Sequence, residues 1–162
     1  MKYIILLAVL SLSVSCKSNN NNDYQKEVAQ LPSFDFILID STQTSSEKLP
    51  AGSPIILVYF NTDCAHCHDE TKAVLQNMEA LKKVQFVFLT AMPYPELKQF
   101  SDDYNLKGYS NIMVGRDYHY SFAKTFRPRM VPFVAIYNKN KELIRIYNGD
   151  GDIKKIIEAI QS

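Results

Sequence analysis

The chain has no tryptophan, five glycines and three cysteines in 162 residues. Three cysteines are too few for a disulfide scaffold. Scarce glycine and the absence of any visible repeat argue against solenoids and linker-rich arrays. No long basic run occurs, and 18 basic against 17 acidic side chains leave a net charge of +1. Phosphate contacts need clustered Lys and Arg, so nucleic acid is not an expected partner. The longest apolar run, near the start, is too short to cross a bilayer. What remains is a globular composition, 46% hydrophobic and 22% charged, with length for about one domain.

The N-terminus carries its own signal. Met1 and Lys2 form a short positive region. Tyr3 to Leu12 is almost wholly apolar, and small residues precede Cys16. This order reads as a secretory signal over residues 1–15. The run SVSC resembles a bacterial lipobox, with Ser13 where that pattern prefers Leu. The resemblance implies cleavage before Cys16, lipid on its thiol, and a domain held in the cell envelope facing the periplasm. The stretch KSNNNND that follows is polar and low in complexity, so residues 16–32 are expected to be a flexible tether. The folded domain is then 33–162. If Cys16 bears lipid, that domain keeps two cysteines, and so sparing a use suggests chemistry instead of stapling.

Short apolar runs alternate with helical periodicity along the rest. Ile55 to Phe60, Val84 to Leu89 and Phe133 to Tyr137 read as buried strands. Phe34 to Ile39 and Ile112 to Val114 read as shorter ones. Val74, Leu75, Met78 and Leu81 predict a helix from the second cysteine to about Lys82. Further helices are marked by Leu97, Phe100 and Tyr104, by Phe122, Ala123 and Phe126, and by Ile153, Ile156, Ile157 and Ile160. Leu143 to Tyr147 forms a hairpin with the FVAIY strand through the turn NKNKE. The order predicts an α/β fold with a central mixed sheet covered on both faces.

Cys64-Ala65-His66-Cys67 follows a buried strand and opens a helix. Two intervening residues at a helix start let the sulfurs close a small disulfide. The free amides and dipole of a helix N-terminus favour a thiolate at the first sulfur. Cys64 is then the exposed nucleophile, and Cys67, one turn deeper, the resolving thiol. Val131-Pro132 stands directly before the FVAIY strand, as an ordinary strand start or as a cis-proline loop.

Together these features resemble the thioredoxin superfamily, in particular its TlpA-like exported branch. The likeness covers most of residues 33–162. It implies a thioredoxin-like fold with a strand–helix insertion between the CxxC and the cis-proline. It implies a thiol–disulfide oxidoreductase that exchanges with protein thiols and disulfides and with an upstream redox donor or acceptor, as a monomer without a cofactor. On that likeness Cys64 and Cys67 are the redox pair, Pro132 presents substrate backbone, and Glu70 matches a buried glutamate thought to assist proton movement. Three positions depart from the pattern: Asp63 replaces the usual Trp, Val58 replaces a buried acid, and Lys72 replaces a helix-kinking Pro. His66 resembles the histidine of oxidising members, whereas the negative Asp63 opposes a thiolate. His68 reads as a solvated helix residue.

Rival readings use the same residues. CAHCH satisfies the haem-attachment pattern CxxCH, with His68 as the iron ligand, but in an α/β context. Two thiols with His66, His68 or His119 could bind copper or zinc as a thioredoxin-fold metallochaperone, although copper-delivering members resemble a CxxxC spacing. His119 reads as part of a surface helix. A peroxiredoxin needs Thr where Asn61 stands.

Overall fold

A computed structural model describes residues 20–149 and 151–161. The expected signal over 1–15 and the expected lipid site Cys16 lie outside the described residues. Seven strands form one mixed sheet: β1 (Asp35–Leu38), β2 (Gln43–Ser45), β3 (Ile55–Tyr59), β4 (Gln85–Thr90), β5 (Ile112–Arg116), β6 (Phe133–Tyr137) and β7 (Leu143–Asn148), in the spatial order β2-β1-β5-β4-β3-β6-β7. β3 pairs in parallel with β4, and β4 with β5. β6 runs antiparallel to both β3 and β7. Among the described residues, six α-helices flank the sheet: α1 (Asn20–Ala29), α2 (Ala65–Gln76), α3 (Met78–Leu81), α4 (Tyr94–Asp103), α5 (Ser121–Phe126) and α6 (Ile153–Gln161). The sheet is mixed and flanked by helices, as the alternation of runs and periodicity predicts. No helix among the described residues is long and apolar enough to cross a membrane.

The continuous apolar runs follow from burial on both faces. In β3, Ile56 and Val58 face one core together with Val74, Phe100 and Ile156. Their neighbours Ile55, Leu57 and Tyr59 face the other, with Phe34, Phe122, Phe126 and Val28. The strand period of two thus feeds two hydrophobic layers from one segment. Gly115 lets β1 approach β5. A Cβ there would lie 2.8 Å from Phe36 Cδ2 and 3.0 Å from the Ile37 carbonyl oxygen. Two strand–helix units, β4–α4 and β5–α5, stand between the CxxC helix and Pro132.

Three expectations are corrected. The tether expected over 16–32 gives way at Asn20 to α1, which packs on the domain. Val28 is fully buried, Tyr24 donates its hydroxyl proton to the Phe126 carbonyl at 2.9 Å, and Tyr137 donates to the Val28 carbonyl at 3.0 Å. Arg127 and Glu27 add an exposed ion pair at 2.7 Å. Tyr24 and Val28 share one face of α1 at helical spacing, with Leu31 just past the helix packing on the same core, a pattern that the asparagine run obscures. The single helix expected to Lys82 breaks at Asn77. There the Asn77 side-chain amide donates to the Ala73 carbonyl at 2.9 Å, competing for a helical acceptor. His119 lies in an exposed turn between β5 and α5, not in a helix, because α5 begins only at Ser121.

Candidate active site

β3 delivers the chain to the sheet's carboxyl edge, where parallel α/β sheets place their sites. Asn61 then shapes the approach to α2: its side-chain oxygen accepts from Asp63 N–H at 2.9 Å, and its carbonyl accepts from Cys64 N–H at 3.2 Å. Cys64 is the N-cap of α2. Its extended backbone (φ −89°, ψ 114°) aims the sulfur back over the first turn, where Sγ accepts from Cys67 N–H at 3.3 Å. A helix start leaves several amides without partners, and here a sulfur takes one of them. Both cysteines are free thiols, with Cys64 half-exposed and Cys67 only 1% exposed.

Burial pushes the Cys67 thiol up to about 12, and its hydrogen bond with Cys64 adds to the shift; the charge of Glu70 acts in the same direction. Glu70 is itself buried, on the same face of α2 as Cys67 and Val74. Gly151 roofs its carboxylate. A Cβ at Gly151 would sit 3.1 Å from Oε1 and 3.3 Å from Oε2, so any larger residue there would press the carboxylate aside by a few tenths of an ångström. Val58, where the resemblance leads one to expect a buried acid, is an apolar core residue.

The Val131–Pro132 peptide bond is cis, and Pro132 is buried. The Val131 carbonyl faces Cys64, whose thiol donates to it at 3.7 Å. Asn148, at the end of β7, steadies the approach: its side-chain oxygen accepts from the amides of Arg129 and Met130 at 2.9 and 3.3 Å. The structure therefore brings Cys64, Cys67, Glu70, Val131 and Pro132 to one end of the sheet. Asp63 and His66 are exposed beside Cys64.

His68 differs from expectation. Its ring is half-buried, with Nε2–H donating to the Thr62 carbonyl at 2.8 Å and Nδ1 2.6 Å from the Tyr104 hydroxyl. Phe100 packs on it at 5.2 Å between ring centroids. Phe100 of α4 and Tyr104 at its C-cap lie far along the chain, so no local pattern reveals them. With both ring nitrogens engaged, His68 is not poised to ligate haem iron or another metal. Among the described residues no three His, Cys, Asp or Glu side chains converge as a metal site.

A half-exposed sulfur at a helix start, a buried thiol one turn on and an adjacent carbonyl equip this edge for disulfide exchange in two steps. The raised Cys67 value also has a consequence for stability. The folded state holds the Cys67 proton from the ordinary value of 9.0 up to about 12, so the stabilisation is complete below pH 9 and is lost as pH rises toward 12. Denaturant unfolding of the reduced protein should show stability declining across that window. Cys67→Ala should show a shallower decline, and equal slopes would contradict the assignment.

No protein family's sequence profile matches the chain, and no curated protein matches it. Solved structures do match. DsbF of Mycobacterium tuberculosis, in mixed oxidised and reduced forms, superposes with a TM-score of 0.69 at 18% identity, over 83% of this chain and 95% of that one. A secreted M. tuberculosis disulfide oxidoreductase homologous to Escherichia coli DsbE gives 0.67 at 16%, over 84% and 97%. Copper-bound ScoI of Arabidopsis thaliana gives 0.62 at 13%, over 80% and 96%. The chain has the thioredoxin-like fold.

Proposed function

We propose that the chain is a thiol–disulfide oxidoreductase acting on protein substrates outside the cytoplasm, held to a membrane by lipid on Cys16. The observation that carries this reading is the asymmetry of the two thiols: Cys64 half-exposed as the cap of α2, Cys67 buried with its proton held to about pH 12. The Cys64 thiolate attacks one sulfur of a substrate disulfide, and the other leaves as a thiol after taking a proton. Cys67 then gives up its proton and attacks Cys64 Sγ. The second substrate thiol departs, and Cys64–Cys67 is left as a disulfide. Two electrons pass to the substrate, and an upstream dithiol restores the pair; the reverse sequence oxidises substrates. Glu70 receives the Cys67 proton. The Val131–Pro132 loop holds the substrate backbone beside Cys64, and Asp63 and His66 set the charge around it. The protein works as a monomer without a cofactor, with the folded domain beginning near Asn20.

The test is trapping in cells of the native organism. Cys67→Ser keeps the attacking sulfur and removes the resolving one, so mixed disulfides with partner proteins should accumulate on non-reducing gels. Cys64→Ser should trap almost none. Absence of Cys64-dependent adducts, together with tight copper binding by the reduced protein, would replace this reading with a metal carrier.

A further inference from the structure

The contact made by His68 joins three parts of the chain that the exchange chemistry needs in register. Thr62 lies two residues before Cys64, His68 one residue after Cys67, and Tyr104 at the end of α4. The Thr62 carbonyl can only accept, so the neutral ring carries its proton on Nε2 and accepts from the Tyr104 hydroxyl at Nδ1. Thr62 has a second tie to α4: its hydroxyl donates to Glu96 Oε2 at 3.3 Å. The ring lies against Phe100 and Tyr104, with centroids at 5.2 and 5.6 Å. Beside it a cavity of about 200 Å³ opens between Asp63, Glu96 and Asp103. The whole arrangement spans the CxxC from both flanks and adds to the Asn61 turn in holding that loop.

We propose that His68 is a positioning residue for Cys64. By clamping the Thr62 carbonyl to α2 and α4, it holds the loop so that Cys64 Sγ stays on the Cys67 amide, the contact that favours a thiolate. The inference rests on the thiol–disulfide reading of the same site and adds a structural determinant of its reactivity. It also gives the β4–α4 unit a role in the redox site: α4 supplies Tyr104, Phe100 and Glu96 as the anchor.

The test compares side chains that keep different halves of the clamp. His68→Leu removes both hydrogen bonds. His68→Gln keeps a donor near Nε2, reaching Thr62. His68→Asn reaches only toward Tyr104. For each reduced protein, the rate of Cys64 alkylation at neutral pH and the equilibrium with glutathione are measured, alongside the thermal midpoint. His68→Leu should slow alkylation by about five- to tenfold, the worth of one well-placed hydrogen bond. Its disulfide should become harder to reduce by a similar factor, tenfold corresponding to about 30 mV for two electrons. His68→Gln should recover to within about twofold of the original rate, while Asn stays impaired. A folded His68→Leu with the original rate and equilibrium overturns the proposal. So does equal impairment in Gln and Leu, which would mean that the ring only fills space. If the leucine protein does not fold, Gln against Asn gives the same decision. A wild-type protein whose Cys64 is not selectively alkylated would overturn the exchange reading itself, which separates the two failures.

Discussion

Cys64→Ser should abolish disulfide exchange, lowering turnover of a small dye-labelled disulfide by roughly a thousandfold or more. A serine hydroxyl at the cap of α2 can accept the Cys67 amide, so the fold should survive the change. It cannot supply a thiolate. Cys67 cannot take over, for two reasons that act together. The residue is 1% exposed, so a substrate disulfide does not reach its sulfur. With burial holding its proton well above the ordinary thiol range, Cys67 is scarcely ionised at pH 7. Cys67→Ser should behave differently: the first attack proceeds and one equivalent of dye is released, after which the mixed disulfide stalls. Stopped-flow release with mass spectrometry of the product distinguishes the two variants. Residual turnover above a few per cent in Cys64→Ser, or a burst there, would mean that the roles of the sulfurs are reversed.

Phe122→Ala should cost about 3–5 kcal/mol, the range for deleting a fully buried aromatic ring. Phe122 is 0% exposed and sits at the centre of the second core. It stacks on Tyr59 at 4.8 Å and on Phe126 at 4.3 Å, and it meets Phe34 and Phe133 edge-on at 5.2 and 6.0 Å. The loss combines transfer, aromatic geometry and a cavity that four neighbouring rings cannot easily fill. Against a usual total of about 5–15 kcal/mol it is a large share. Urea unfolding measures it. Since Phe122 belongs to the opposite core from Cys67, the Cys64 alkylation rate of the folded variant should be unchanged. A loss under about 1.5 kcal/mol would show that α5 repacks freely.

The strands and the cysteine site are legible in the sequence because their determinants are local. A run such as IILVYF can be buried on both faces only in a covered sheet, and CxxC after such a run fixes where the sulfurs stand. Glu70, three residues after Cys67, is expected to be buried from the resemblance to the TlpA-like branch, and it does lie on the buried face of α2. The unread parts depend on partners that the composition of the segment itself does not reveal. β2 is the polar triplet QTS, which becomes a strand only by pairing with β1. α1 begins in asparagines whose composition signals coil, and its docking depends on Phe126 and Tyr137, about a hundred residues away. His68 follows the same logic: its neighbours in sequence are polar, while the groups that engage it come from Thr62 and Tyr104. Tertiary contact overrides local tendency in each case.

The docking of α1 also sets a leash. Were residues 16–32 all spacer, sixteen residue steps could carry the domain on the order of 55 Å from a lipid on Cys16. With Asn20 already in a helix fastened to Phe126 and Tyr137, only four steps separate the proposed lipid from the folded body, at most about 14 Å. That is on the order of one or two headgroup layers. Anchored so, the domain would skim the membrane surface, and the proposed exchange would reach disulfides presented close to the lipid, while those held farther out would have to come down to it.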